Sequence, residues 1–301
     1  MSNAPVSNAR IDRTRLAIGA ALAVPIALAL SCRGAPNATK PLPAGTAGDD
    51  AAVADATAEG ASDAEADAID AAEEDTFEDT PRDAGPYAFD FADARSVYVI
   101  APTSRRRPQR LITFLHGMCN PPEYACGLWL DTGAQLGFVV CPTGDARCGP
   151  AQYNAPTWAK PEPKIEDDVE RAIATTMEQF PGEISRDDEV LCGFSIGGYM
   201  AVHFAAAHPG RWPYLVINEA NVSLSVPMLK KAQVRAVALI AGELGGQIQG
   251  ERATAKALEA QGFPVKFWMM PQAGHYYSGN IGEIMQEAIE FVTSVPAAIP
   301  P

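Results

Sequence analysis

The chain reads as an α/β domain, a mainly parallel sheet flanked by helices, and three observations carry that reading. Beyond residue 86, short apolar runs of strand type alternate with segments of helical periodicity. The stretch Gly193-Phe194-Ser195-Ile196-Gly197-Gly198 joins one of those runs directly to an amphipathic helix, as a tight strand-to-helix turn would. A second loop, Gly274-His275-Tyr276-Tyr277, follows the last apolar run and precedes the last helix.

The elements follow in order. Residues 97–100 and 111–115 flank the basic turn Arg105-Arg106-Arg107-Pro108 and are expected to form an antiparallel pair. Further strands are expected at 138–141, 190–192, 214–217, 236–241 and 265–270. Ile165, Val169, Ala172, Ile173, Met177 and Phe180 recur at helical spacing, as do Ile281, Ile284, Met285, Ala288, Ile289 and Val292. Each set is one apolar face, which belongs to the core rather than to a cofactor. No internal repeat interrupts the pattern.

The Gly193–Gly197 turn pushes the Ser195 hydroxyl out of the end of the sheet, and a Cβ at either glycine would collide with the adjoining strand or helix. The serine also sits at a helix N-terminus, where backbone N–H groups favour developing negative charge. A serine hydroxyl is a weak nucleophile at neutral pH and needs a base, and His275 is placed to be one. His203 and His208 lie in the helix after Ser195 and read as surface or packing residues. His116 closes an apolar strand with Gly117 and reads as a residue that ties its loop down. The N–H groups of Met118 and Ile196 are the candidate donors to an oxyanion.

On His116-Gly117, Gly193-Phe194-Ser195-Ile196-Gly197-Gly198 and Gly274-His275, in that order and spacing, residues 89–295 resemble the α/β-hydrolase family. The resemblance implies an α/β-hydrolase fold, acyl transfer through Ser195 and His275, and an acid between them in sequence. No aspartate occurs there, only Glu219, Glu243, Glu251 and Glu259. The family's usual aspartate, in a turn after the later strand, falls at Gly245. Glu243 opens that turn and is the expected acid, with Glu219 as the alternative. Glu251 and Glu259 are read as charges on an exposed helix face, near Arg252 and Lys256. Three readings follow. The first is a carboxylic-ester hydrolase acting on a small-molecule or polymer ester. The second is a serine peptidase on the same fold. The third is a catalytically dead surface-binding module, favoured by the missing aspartate. The short segment 219–225 leaves no room for a large lid, and the irregular stretch 142–163, with Tyr153 and Trp158, either borders the substrate or is a plain surface loop.

The N-terminal region addresses the location. Arg10, Arg13 and Arg15 precede an apolar run at 16–30 that ends Ala29-Leu30-Ser31-Cys32. Residues 1–31 therefore read as a signal peptide of lipoprotein type, with Cys32 as the lipidated residue and a plain secretory signal as the alternative. Residues 32–85 are rich in Ala, Asp and Glu and poor in large apolar side chains, the composition of a disordered acidic linker, and 86–301 form the catalytic-type domain. Most of the net charge of −14 sits in that linker, so acidity says little about substrate. No basic stripe points to nucleic acid, and the membrane enters only through the N-terminal anchor. Six cysteines suit an oxidising, extracytoplasmic compartment, expected to be the periplasm or cell surface of a bacterium for a membrane-anchored lipoprotein, with secretion as the alternative. Bridges Cys119–Cys126 and Cys141–Cys148 are expected by proximity, with cross-pairings open, and Cys192 as a buried free thiol. Cysteine–histidine spacing for a metal is absent, and the chemistry calls for no cofactor.

Overall fold

The computed structural model describes residues 82–105, 108–150, 154–160 and 162–296. The expected signal segment, Cys32, the acidic stretch to residue 81, and Tyr153 lie outside them.

Eight strands form one sheet in the order β1-β2-β4-β3-β7-β8-β9-β10. They are β1 (Tyr87–Ala92), β2 (Arg95–Ile100), β3 (Gln109–Leu115), β4 (Phe138–Pro142), β7 (Ile184–Phe194), β8 (Tyr214–Asn218), β9 (Ala236–Gly242) and β10 (Val265–Met270). From β4 to β10 every neighbouring pair is parallel, while β1 and β2 run antiparallel at one edge. A two-stranded ribbon, β5 (Ala146–Cys148) with β6 (Ala155–Thr157), stands apart. Helices α1 (Pro122–Gly127), α2 (Leu130–Leu136), α3 (Glu162–Gln179), α4 (Ile196–Ala207), α5 (Val226–Lys231), α6 (Ile248–Glu259) and α7 (Ile281–Ser294) complete the described elements.

The central strands β8 and β9 are buried along their whole length. That is why they read as unbroken apolar runs: a parallel strand covered on both faces has no solvent side on which to alternate. One core lies under α3, α4 and α6, and the other under α1 and α7. The expected helical stripes are these cores' helix faces. All six apolar positions predicted for α7 are buried, and at roughly 1.5–3 kcal/mol per large side chain they hold that helix down.

Two expectations are corrected. The runs 97–100 and 111–115 do not pair with each other. Strand β4 lies between them, antiparallel to β2 and parallel to β3, so the intervening basic segment is a crossover and not a hairpin. Residues 82–85, expected in the linker, already bond to the domain: Ala101 N–H donates to the Ala84 carbonyl at 3.0 Å, and Arg82 pairs with Glu183. Strand β1 pairs with β2 as an edge hairpin, and its alternating Tyr87 and Phe89 pack on Phe180. Segment 219–225 runs straight into α5, with no domain inserted.

Candidate active site

The carboxyl ends of β3, β7, β8 and β10 converge on Ser195. Strand β7 ends at Phe194, and Ser195 adopts φ 54° and ψ −120° before α4 begins at Ile196. A non-glycine residue there costs of order 1–3 kcal/mol and survives only where the surroundings impose it. They do: Ser195 N–H donates to the Asn218 carbonyl at 2.8 Å, and its own carbonyl accepts from Gly198 N–H at 2.9 Å. A Cβ on Gly193 would run into the Gly197 carbonyl, and one on Gly197 into the Leu115 carbonyl, so the turn closes only with glycine at both places.

His275 stands over this turn on the loop after β10, its ring 5.3 Å from that of Phe194. Its Nε2 lies 2.9 Å from Ser195 Oγ and its Nδ1 2.8 Å from Glu219 Oε2. The consistent proton placement has Nδ1–H donating to the carboxylate and the serine hydroxyl donating to Nε2. His203 and His208 are on the helix surface, paired with Glu162 and Glu166.

The acid against the imidazole is therefore Glu219, and the expectation of Glu243 is corrected. Glu243 follows β9 but is exposed, and its Oε2 accepts from Gln272 N–H at 2.9 Å. Glu219 follows β8, is fully buried, and turns back toward His275 because its own backbone is left-handed at φ 55°. Gly242 N–H donates to its Oε1. Gly245, at the position of the family's usual aspartate, has its empty side-chain site 3.2 Å from both Glu219 carboxylate oxygens. The glycine leaves room for the Glu219 carboxylate.

Glu251 also departs from expectation. It is 1 % exposed instead of solvated, and its Oε1 accepts from Ala220 N–H at 2.8 Å. The signal was present in the sequence: Ile248, Glu251, Ala255 and Leu258 fall on one helical face, and that face is buried.

Met118 lines the cleft beside Ser195, and Ile196 follows Ser195 as the first residue of α4. Gly117 lies against the turn, where an added Cβ would stand 2.7 Å from the Phe194 ring and 3.4 Å from Ser195 Cβ. Among the described residues, neither the Met118 nor the Ile196 N–H has an acceptor. His116 holds the donor loop in place. Its Nδ1–H donates to the Gly117 carbonyl at 2.7 Å, its Nε2 accepts from Gly144 N–H at 2.9 Å, and its ring stacks on Trp158 at 4.6 Å. Trp158 Nε1–H donates in turn to the His116 carbonyl at 2.9 Å, so this tryptophan faces inward instead of bordering the site. Burial lowers the His116 pKa to about 4, which keeps the ring neutral and able to accept from Gly144.

A cleft of about 510 Å³ opens beside Ser195. Tyr124, Phe194, Tyr276 and Tyr277 supply aromatic walls, with Met118 and Asn120 between them. Phe194 and Tyr277 pack at 4.4 Å, and Asn120 Nδ2–H donates to the Tyr277 hydroxyl at 3.0 Å. Sequence reasoning missed this wall, although Tyr276-Tyr277 directly follow His275. Two disulfides tie the 118–127 segment to the rest of the domain, Cys119–Cys148 and Cys126–Cys141, with Cα separations of 5.5 and 6.7 Å. The expected pairing of sequence neighbours is corrected to the cross-pairing. Cys126 and Cys141 belong to α1 and β4, elements that the fold packs together. Cys192 is a free, buried thiol, and burial pushes its pKa up.

No protein-family model matches the chain, and no curated protein matches it by sequence. Solved structures do match. An S-formylglutathione hydrolase (FrmB) from Staphylococcus aureus superposes with TM-score 0.50 at 16 % identity, over 68 % of this chain and 96 % of that one. An S-formylglutathione hydrolase from Agrobacterium tumefaciens superposes with TM-score 0.51 at 14 % identity, over 69 % and 94 %. FphF, a fluorophosphonate-binding serine hydrolase of Staphylococcus aureus, gives 0.50 at 16 % identity, over 68 % and 96 %. The fold is that of the α/β-hydrolases.

Proposed function

We propose that this protein is a serine hydrolase that cleaves carboxylic esters. The observation that carries the proposal is the unbroken relay from Ser195 Oγ through His275 to the buried Glu219, with links of 2.9 and 2.8 Å. Superposable proteins bearing hydrolase names add support at the level of fold.

In this reading His275 Nε2 takes the Ser195 proton as Oγ bonds to the ester carbonyl carbon. Glu219 holds the imidazole in the correct tautomer and stabilises the imidazolium. The oxyanion accepts from the Met118 and Ile196 N–H groups, each worth on the order of 3 kcal/mol of barrier. Collapse breaks the C–O bond, and His275 returns the proton to the departing alcohol. Water, deprotonated by the same imidazole, then releases the acid and restores Ser195. Among the described residues the cleft walls carry no acidic, lysine or arginine side chain, and their aromatic surface suits an uncharged ester bearing a planar ring. The two disulfides favour work outside the cytoplasm. Anchoring through a lipidated Cys32 is part of this proposal.

A fluorophosphonate probe tests the nucleophile. Wild type is labelled, Ser195→Ala is not, and turnover of the variant falls by several orders of magnitude. Persistent labelling of Ser195→Ala refutes the proposal. p-Nitrophenyl esters set beside peptide amides separate an esterase from a peptidase.

A further inference from the structure

The turn that presents Glu219 is under two constraints. Its left-handed backbone is held at one end by Glu219 N–H donating to the Ile240 carbonyl at 2.8 Å. At the other end the holder is not backbone. Ala220 N–H donates to Glu251 Oε1 at 2.8 Å, and Glu251 reaches this point from the first turn of α6, on a different segment of the chain.

Nothing in ordinary packing calls for a carboxyl group there. Glu251 is buried, its carboxyl meets the Ala220 and Ile240 backbone, and among the described residues no cation faces it. Arg252, next to it on α6, lies over the Phe267 ring at 5.3 Å and donates to Met269 Sδ, away from the site. Glu243, from the end of β9, is exposed and engaged with Gln272. The titratable neighbours that remain are Glu219 and, beyond it, His275. Glu219 accepts from Gly242 N–H and His275 Nδ1–H, and Glu251 accepts from Ala220 N–H with the Ile240 backbone also beside it. Burial without a cation to pair with favours the neutral form of Glu251.

We propose that Glu251 is a positioning residue for the Ser195–His275–Glu219 relay: a neutral carboxylic acid that fixes the strained Glu219–Ala220 turn and leaves Glu219 as the single negative charge facing the imidazole. The inference rests on the proposed hydrolase reading and extends it to a residue that touches no reacting atom. Desolvation, with the Glu219 charge as a smaller cause, raises the Glu251 pKa to about 9, so the neutral form persists at working pH. When Glu251 does ionise, repulsion between two buried carboxylates works against the strained turn and displaces Glu219 from His275.

The test compares full-length wild type, Glu251→Gln and Glu251→Leu in two measurements from neutral pH to about pH 10. One is kcat and KM on an ester; the other is the chemical shift of the His275 ring protons by NMR. Gln keeps a neutral oxygen for Ala220 N–H, so it should stay within about threefold of wild type at neutral pH. In wild type, kcat should fall on the basic side with a midpoint near 9, and the His275 resonances should move with the same midpoint. Both changes should be absent in Glu251→Gln. Leu removes the acceptor and should lower kcat by about tenfold or more with KM nearly unchanged. Superimposable wild-type and Gln profiles, or a Gln variant as slow as Leu, overturn the inference. Should the Leu variant fail to fold, the comparison of wild type with Gln decides alone. The NMR arm needs no turnover, so an absence of esterase activity would refute the hydrolase reading without obscuring this one.

Discussion

Replacing Glu219 by glutamine separates the two candidate acids, because its consequence can be worked out atom by atom. The carboxylate accepts two hydrogen bonds, from Gly242 N–H on Oε1 and from His275 Nδ1–H on Oε2. A glutamine offers one oxygen and one NH2. With its oxygen toward Gly242, the NH2 faces Nδ1 and forces the proton onto Nε2, where the ring can no longer accept from Ser195. With its oxygen toward His275, the NH2 meets the Gly242 N–H, donor against donor, in a buried site. Neither arrangement preserves the relay. The wrong tautomer costs about 10⁴ in turnover, which is roughly 5 kcal/mol of barrier. Glu243→Gln, altering an exposed side chain that caps Gln272, should stay within a few-fold of wild type. The assay is kcat on a p-nitrophenyl ester, with melting temperature measured on each variant to set folding losses aside. A Glu219→Gln enzyme within tenfold of wild type, or a Glu243→Gln enzyme equally impaired, would refute the assignment of Glu219.

Three further outcomes are expected. Peptide mapping without reduction should recover Cys119 with Cys148 and Cys126 with Cys141, and removing either bridge should cost about 3–4 kcal/mol of stability, as its 29- or 15-residue separation implies. Stability should drop as pH falls from 6.5 to about 4: the unfolded chain protonates His116 over that range while the buried ring does not, a contribution of roughly 3 kcal/mol present above 6.5 and lost toward 4. A His116→Gln variant should show a flatter melting-temperature profile there, and an unchanged slope would count against the buried neutral ring. Mass spectrometry of protein taken from its native membrane fraction should find a mature chain that begins at a modified Cys32; a soluble chain starting elsewhere would exclude the anchor.

Much of this protein is legible from local sequence alone, where a short stretch of chain dictates its own geometry. The Gly193–Gly197 turn can close around Ser195 only with glycines beside it, and the unbroken apolar runs of β8 and β9 can be buried only as central parallel strands. The stripe on α7 likewise names its own buried face. What the sequence left open depends on which segments become neighbours. Whether β2 adjoins β3 or β4 is a matter of strand order, and disulfide pairing follows from it, since α1 packs on β4. The acid is the sharpest case. Glu219 and Glu243 each follow a strand, and both precede His275. What separates them is a left-handed residue at the end of β8 and an empty side-chain site at Gly245, brought together by the pairing of β8 with β9. Glu251 reads as solvated until the sheet places Ala220 beneath it. Local backbone sterics and periodicity act within a few residues of chain and so are written in its order; hydrogen bonds and excluded volume between distant segments exist only once the sheet has assembled.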